Sequence, residues 1–343
     1  MTPVPDPLTA TRVAERSAVD ADTFAREIVA GYTPVVLRGQ VADWAAVAAA
    51  RRGERAIAEY LAGFGGGTPL EVLIGPPEID GRFFYADETL TGFNFHRQQV
   101  PIGSLVAQLL HYVETGEPRP HALYANAATA PEHLPGWEDA NPLELGIAAP
   151  ARLWIGNASR IATHYDTSIN IACVVAGRRR FTLFPPEQLS NLYVGPLDHT
   201  MAGPPSSMVD PEAPDLSRYP RFAEAMAAAR VAELEPGDAI FIPPLWWHHV
   251  RAIGRLNVLV NYWWEHRSSA AFVAMVHAIG AVRDLPDAER AAWRGWFDHL
   301  VFAPDAARAA DHLPEAARGI LGAAGPSRTQ KIRQFLLGML QRS

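Results

Sequence analysis

Two segments far apart in the chain carry residue types that can hold a metal ion: His164-Tyr165-Asp166 and Pro243-Pro244-Leu245-Trp246-Trp247-His248-His249. In an extended strand, residues two apart point to the same side, so His164 and Asp166 converge while Tyr165 turns away. A histidine at the end of a second apolar strand completes a set of two imidazoles and one carboxylate. Such a facial set leaves coordination positions open, as at non-haem Fe(II) sites, and open positions serve chemistry rather than structure. Strand geometry does not choose between His248 and His249, because neighbours face opposite sides and only one can point inward.

A lone His-x-Asp carries little weight in a chain with 12 histidines, where about one match arises by chance. Context gives it more. His164-Tyr165-Asp166 lies before an apolar strand, and Gly237-Asp238 opens a turn into the buried run Ala239-Ile240-Phe241-Ile242-Pro243, which delivers aromatics and two histidines at its end. The aromatics would keep such a site dry.

From Ala122 to about Glu265 the pattern is of short strands separated by Gly, Pro and Asn, clearest at Trp154–Gly156, Ile169–Val175, Arg180–Phe184, Ala239–Pro243 and Leu256–Trp263. This spacing predicts a double-sheet jelly roll or barrel. Upstream, a polar leader precedes a helix bearing Phe24, Ile28 and Val29. A strand follows at Pro34–Gly39, then a helix from Trp44 to Leu61 broken by Gly65-Gly66-Gly67, short strands at Glu71–Gly75 and Arg82–Tyr85, and a helix over Gly103–Gly116. Pro204 to Pro220 is a proline-rich excursion, either a connector or a loop over the site mouth.

Beyond Arg267 the chain reads as helical. Phe272, Met275, Val276 and Ile279 form one apolar stripe; Ile332, Phe335, Leu336 and Met339 form another, behind a capping-box start at Ser327-Arg328-Thr329-Gln330. These helices either cover the sheets or form a two-fold interface. The expected division is an N-terminal α/β flank over 1–120, a β core over 121–266 and a helical region over 267–343.

With 30 Lys+Arg against 37 Asp+Glu and a net charge of -7, the surface is poorly suited to a phosphate backbone, so nucleic acid is not the expected partner. The single cysteine, Cys173, sits in an apolar run and cannot form an intrachain bridge. No stretch has the roughly 18 apolar residues of a membrane span, and the N-terminus has no secretory pattern. A cytoplasmic protein without a membrane partner is expected.

His164-Tyr165-Asp166, Gly177-Arg178-Arg179-Arg180-Phe181-Thr182-Leu183-Phe184-Pro185-Pro186, the Pro-Gly-Asp turn before Trp246-Trp247-His248-His249, and Asn261-Tyr262-Trp263 resemble the JmjC, or cupin-like, family of Fe(II)- and 2-oxoglutarate-dependent oxygenases. The resemblance is strongest over Tyr124 to Trp264. It implies a double-stranded β-helix, Fe(II) on His164, Asp166 and His248, and 2-oxoglutarate with O2 as co-substrates.

The distal carboxylate of 2-oxoglutarate needs a cation deep in the fold. Arg179 is the candidate: a guanidinium grips a carboxylate through paired hydrogen bonds, and alternation turns Arg179 away from the side of Arg178 and Arg180. The resemblance sets a family lysine at the same place, and likens Tyr124, Asn170 and Asn261 to residues around the co-substrate. One departure is Ile161, where a hydroxylase of the family carries a threonine, so that hydrogen bond is either missing or supplied from elsewhere, by Thr163 or Ser168. Trp263 would line the substrate side, with Tyr85, Phe93, Asn94 and Phe95 around the mouth. The implied activity is hydroxylation of a protein or peptide side chain, with a small-molecule substrate as an option and a homodimer through the C-terminal helices. The alternatives are a cupin enzyme without 2-oxoglutarate, in which Arg179 and Tyr124 would not converge on the metal, and a non-catalytic binding module.

Overall fold

The computed structural model describes residues 11–65, 67–264 and 269–341. Residues 1–10 of the polar leader, the middle glycine of the triple-glycine break and the expected junction at 265–268 lie outside them. The chain divides into two compact units between residues 268 and 269.

The first unit is a mixed β-sheet core with flanking helices. Its strands are β1 (Thr11–Arg12), β2 (Ala14–Ser17), β3 (Val35–Arg38), β4 (Leu70–Gly75), β5 (Arg82–Phe83) and β6 (His96–Val100). They continue as β7 (Ala122–Thr129), β8 (Ala151–Gly156), β9 (Ser159–Tyr165) and β10 (Ile169–Phe184). β11 (Arg230–Leu234), β12 (Ala239–Ile242) and β13 (Trp247–Trp264) complete the set. Two expectations change here. Ile169–Val175 and Arg180–Phe184 belong to one strand, β10, and the distal histidines share β13 with Leu256–Trp263.

β10 and β13 pair antiparallel from end to end, and each serves two sheet arms. In the first arm, ordered β2-β3-β12-β10-β13-β8-β7-β4-β6, β10 contributes Asn170–Cys173 against β12 and β13 contributes Asn257–Tyr262 against β8. In the second, Arg179–Leu183 pairs with β11, itself paired with β1, while Trp247–Ala252 pairs with β9, itself paired with β5. The changeover falls where the register shifts between Val174 and Arg178. Gly177 sits there at φ +70°, and a Cβ on it would lie 2.0 Å from Asn257 Oδ1, so both the backbone and the space demand glycine.

Alternation along β10 sorts the core. Ile171, Cys173 and Val175 are buried among Val47, Leu61, Leu105 and Trp137 of the helical flank. Ala172 and Val174 pack with Phe181, Leu183, Ile240 and Ile242 between the arms. Fully burying such side chains is worth about 1.5–3 kcal/mol each, which fixes which face of each strand looks inward. The helix expected over Trp44–Leu61 is two, Ala45–Arg52 and Glu54–Ala62, because Gly53 at φ +127° ends one and begins the other.

The second unit carries helices Ser269–Val282, Asp287–Phe297 and Pro326–Leu340. The last does not start from a capping box. Its N-cap is Gly325, without a side-chain cap, and Pro326 takes the first turn, where its fixed φ suits the helix and its missing N–H costs nothing. No helix among the described residues is long and apolar enough to cross a membrane.

Candidate metal centre

His164 lies near the end of β9 and Asp166 just past it, so the motif closes one strand and stands directly before the apolar strand β10, as expected. β13 runs alongside with His248 paired directly to His164. One ligand atom from each of His164, Asp166 and His248 lies within 4.8 Å of the other two, with His248 Nε2 3.8 Å from Asp166 Oδ2. Both imidazoles are held alike: His164 Nδ1 is 2.8 Å from the Ala162 carbonyl and His248 Nδ1 is 3.0 Å from the Trp246 carbonyl. A carbonyl only accepts, so each Nδ1 carries the proton and each Nε2 presents a lone pair. Burial, reinforced by the neighbouring His164, lowers the His248 pKa to about 4, keeping it in the neutral form a metal requires. The donor set therefore fits a divalent cation with open positions.

The carboxylate is oriented too. Asn170 Nδ2 donates to Asp166 Oδ2 at 2.7 Å, and Asn261 Nδ2 donates to Asn170 Oδ1 at 2.7 Å. The two asparagines thus form a relay behind the acid, on adjacent strands.

All three candidate ligands line a cavity of about 330 Å³ between the two arms, together with Tyr124, Arg179, Asn170, Asn261, Trp154 and Trp263. That volume lies within the usual range for small-ligand sites. Arg179 is 3% exposed, and its Nη1 has no hydrogen-bond partner among the described residues. Burial pulls its pKa down to about 10, opposed by the nearby Tyr124, whose own hydroxyl is pushed well above its ordinary range, chiefly by burial. A buried guanidinium with an unpaired donor is costly unless an anion meets it. Arg178 is exposed and Arg180 half-buried, as alternation requires. Arg179 and Tyr124 share the cavity with the triad, the convergence that a co-substrate-free cupin would lack.

A cupin-like domain model matches residues 21–270, most of the chain. The chain belongs to the cupin-like family. Over 113 residues it is 39% identical to the lysine-specific demethylase JMJ31 of Arabidopsis thaliana, covering 33% of this chain and 20% of that protein. It is 37% identical over 110 residues to tRNA wybutosine-synthesizing protein 5 of Danio rerio, covering 32% and 31%. It is 36% identical over 115 residues to HSPB1-associated protein 1 of Bos taurus, covering 33% and 23%. The matched segments thus span a third or less of these relatives' lengths. Within this cupin-like chain, the partly buried His-Asp-His group is of the kind that binds Fe(II) in 2-oxoglutarate-dependent oxygenases.

His249 points away from the cavity, its Nε2 3.5 Å from Glu212 Oε1. Of the two substitutes for the threonine missing at Ile161, Ser168 lines the cavity and Thr163 does not. Phe95 reaches the wall of the cupin-like cavity, whereas Asn94 is structural, accepting from Phe84 N at 2.9 Å and donating to the Arg82 carbonyl at 2.8 Å. Phe93 stacks between Phe95 and His199 beside Tyr85. The excursion is more than a connector: Pro204 and Ser206, with Met201 and Ala202 just before it, line the cavity. Nothing in their spacing marks them, since loop residues reach a site by the path of the chain rather than by periodicity.

Proposed function

We propose that this protein is an Fe(II)- and 2-oxoglutarate-dependent oxygenase that hydroxylates a side chain of a protein or peptide. The observation that carries the reading is the unpaired, buried Arg179 in the same cavity as a metal-ligand triad. His164 and His248 would hold the metal through Nε2 and Asp166 through its carboxylate, with Asn170 orienting the acid. Arg179 and Tyr124 would bind the distal carboxylate of 2-oxoglutarate, and Asn261 would border it. Bound Fe(II), with 2-oxoglutarate and O2, supplies the oxidising power that converts a C–H bond to C–OH while succinate and CO2 are released. The chain's own contribution is geometry and dryness: Trp154, Trp263, Phe181 and Ile242 wall the cavity and exclude water, and Trp263 faces the substrate.

In this reading the two arms form a double-stranded β-helix over 121–266, flanked by 1–120 and by the helical region 267–343. Relatives include proteins named for lysine demethylation and for tRNA wybutosine synthesis; the net charge of -7 favours a polypeptide over a polynucleotide substrate. A cytoplasmic site of action suits the unpaired, buried Cys173. Phe335, Leu336, Leu337 and Met339 are each more than half exposed on the last helix, which supports a homodimer through the C-terminal helices.

The test is anaerobic titration of the apoprotein with Fe(II) and 2-oxoglutarate, followed by admission of O2 and a succinate assay. The expected result is a weak visible charge-transfer band that is lost in Asp166→Ala and Arg179→Ala, with succinate formed in step. Bound metal without band or succinate would refute the oxygenase reading.

A further inference from the structure

Asp166 is the one candidate ligand outside the strand ladder, since β9 ends at Tyr165. Its backbone carbonyl is held by Leu245 N–H at 2.9 Å. Leu245 belongs to a tight turn between β12 and β13, closed by Trp246 N donating to the Pro243 carbonyl at 3.3 Å. With proline at the second position and φ +65° at the third, this is a type II turn. That turn type ordinarily takes Gly or Asn where Leu245 stands, whereas leucine suits the type I form. The two forms differ by a flip of the peptide between Pro244 and Leu245. Burial does not account for the choice, because Leu245 is 43% exposed.

Both ends of that same peptide are held. Its N–H meets Asp166, and its carbonyl, belonging to Pro244, accepts from the Tyr32 hydroxyl at 2.6 Å. Tyr32 is itself tied down: Trp246 Nε1 donates to the Tyr32 carbonyl at 3.3 Å. Tyr32 also sits at positive φ, +46°, and is 48% exposed, so its ring is not placed there by packing into a core. A flipped peptide would lose the Tyr32 bond and turn the Leu245 N–H away from Asp166 at once.

We propose that Tyr32 is a positioning residue for the metal site: by latching the Pro244–Leu245 peptide in its type II orientation, its hydroxyl fixes the backbone of Asp166. The proposal rests on the metal-binding reading of His164, Asp166 and His248. It assigns a role in the site to a residue from the N-terminal flank, far from the triad in sequence and outside the cavity wall.

The test is Mn(II) binding to the full-length apoprotein, followed by the electron paramagnetic resonance signal of free Mn(II). Tyr32→Phe keeps the ring and removes one hydrogen bond, and should weaken Mn(II) binding about three- to tenfold with an unchanged circular dichroism spectrum. In the Tyr32→Phe background, Leu245→Gly should restore most of the affinity, because glycine takes the left-handed conformation without a latch. Leu245→Val alone should weaken binding, since a β-branched residue resists positive φ. A merely structural tyrosine would not be rescued from position 245. Wild-type affinity in Tyr32→Phe, or no rescue by glycine, overturns the latch. Failure of the wild-type protein to bind Mn(II) would instead overturn the metal reading beneath it.

Discussion

Replacing Arg179 by methionine should make the apoprotein more stable and insensitive to 2-oxoglutarate. Folding lowers the guanidinium pKa from its ordinary value to about 10, with burial as the main cause. Because Arg179 is a base with a depressed folded pKa, the cost is present wherever the folded side chain is charged, below about pH 10; stability would recover only as pH rises from there toward the ordinary guanidinium range. At neutral pH the cost is about 3 kcal/mol. Methionine fills much of the same volume without charge, and swapping poorly compensated buried charge for apolar volume often gains about 1–4 kcal/mol. At roughly 2–4 °C per kcal/mol, the apoprotein's melting temperature should rise by several degrees. Differential scanning fluorimetry at pH 7.5 would measure this, then repeat it with Mn(II) and 2-oxoglutarate. Ligand at about a hundred times its Kd should add about 2.7 kcal/mol to the wild type and nothing to the variant. A variant that melts below the wild type would mean that Arg179 is favourably paired in the apoprotein, and the argument from an orphaned charge would fail. A variant that melts higher yet still responds to 2-oxoglutarate would leave the charge orphaned but assign the co-substrate elsewhere.

His248→Gln should weaken Mn(II) binding by about a hundredfold or more, and His249→Gln by less than about threefold, read by titration calorimetry; the reverse order would exchange their roles. Apoprotein stability should fall as pH drops from about 6.5 toward about 4, because His248 stays neutral in the fold while the unfolded chain takes up a proton. Melting temperature against pH should show this acid limb reduced in His248→Gln. Gly177→Ala should destabilise the protein by about 3 kcal/mol or more in urea denaturation, since its Cβ would lie 2.0 Å from Asn257 Oδ1 at a left-handed backbone position.

The triad was legible because ligand chemistry asks for His164 and Asp166 two apart and a histidine beyond an apolar run, although Asp166 lies one residue past the end of β9 and so is not placed by strand alternation itself. Arg179 was legible for a related reason, since an isolated inward charge in a strand needs an anion. Trp44–Leu61 was misread because the apolar pattern continues across Gly53, and only its φ of +127° reveals the break. The capping box at Ser327 failed because Pro326, one residue earlier, begins the helix more cheaply than a side-chain cap does. Tyr32 gave no signal at all. Its role depends on a hydroxyl meeting a carbonyl 212 residues away, a contact that no local pattern encodes.

The shared strands explain how one short segment serves two halves of the site. Asn170 and Arg179 are nine residues apart on β10, so strict alternation would send them to opposite faces. Both line the cavity. The register shifts on either side of Ala176 reconcile them: before the bulge the even-numbered residues Asn170, Ala172 and Val174 face inward, and after it the odd-numbered Arg179, Phe181 and Leu183 do. β13 makes the same exchange, with His248, Val250 and Ala252 inward on one side of Gly254 and Leu259, Asn261 and Trp263 inward on the other. Gly254, at φ +126°, lies close to Gly177, its backbone conformation open to glycine at little cost. This paired inversion brings metal ligand, acid relay and orphan cation to one cavity from two strands. A bulky residue at Gly177 should therefore disturb the cation and the relay together, although neither touches it.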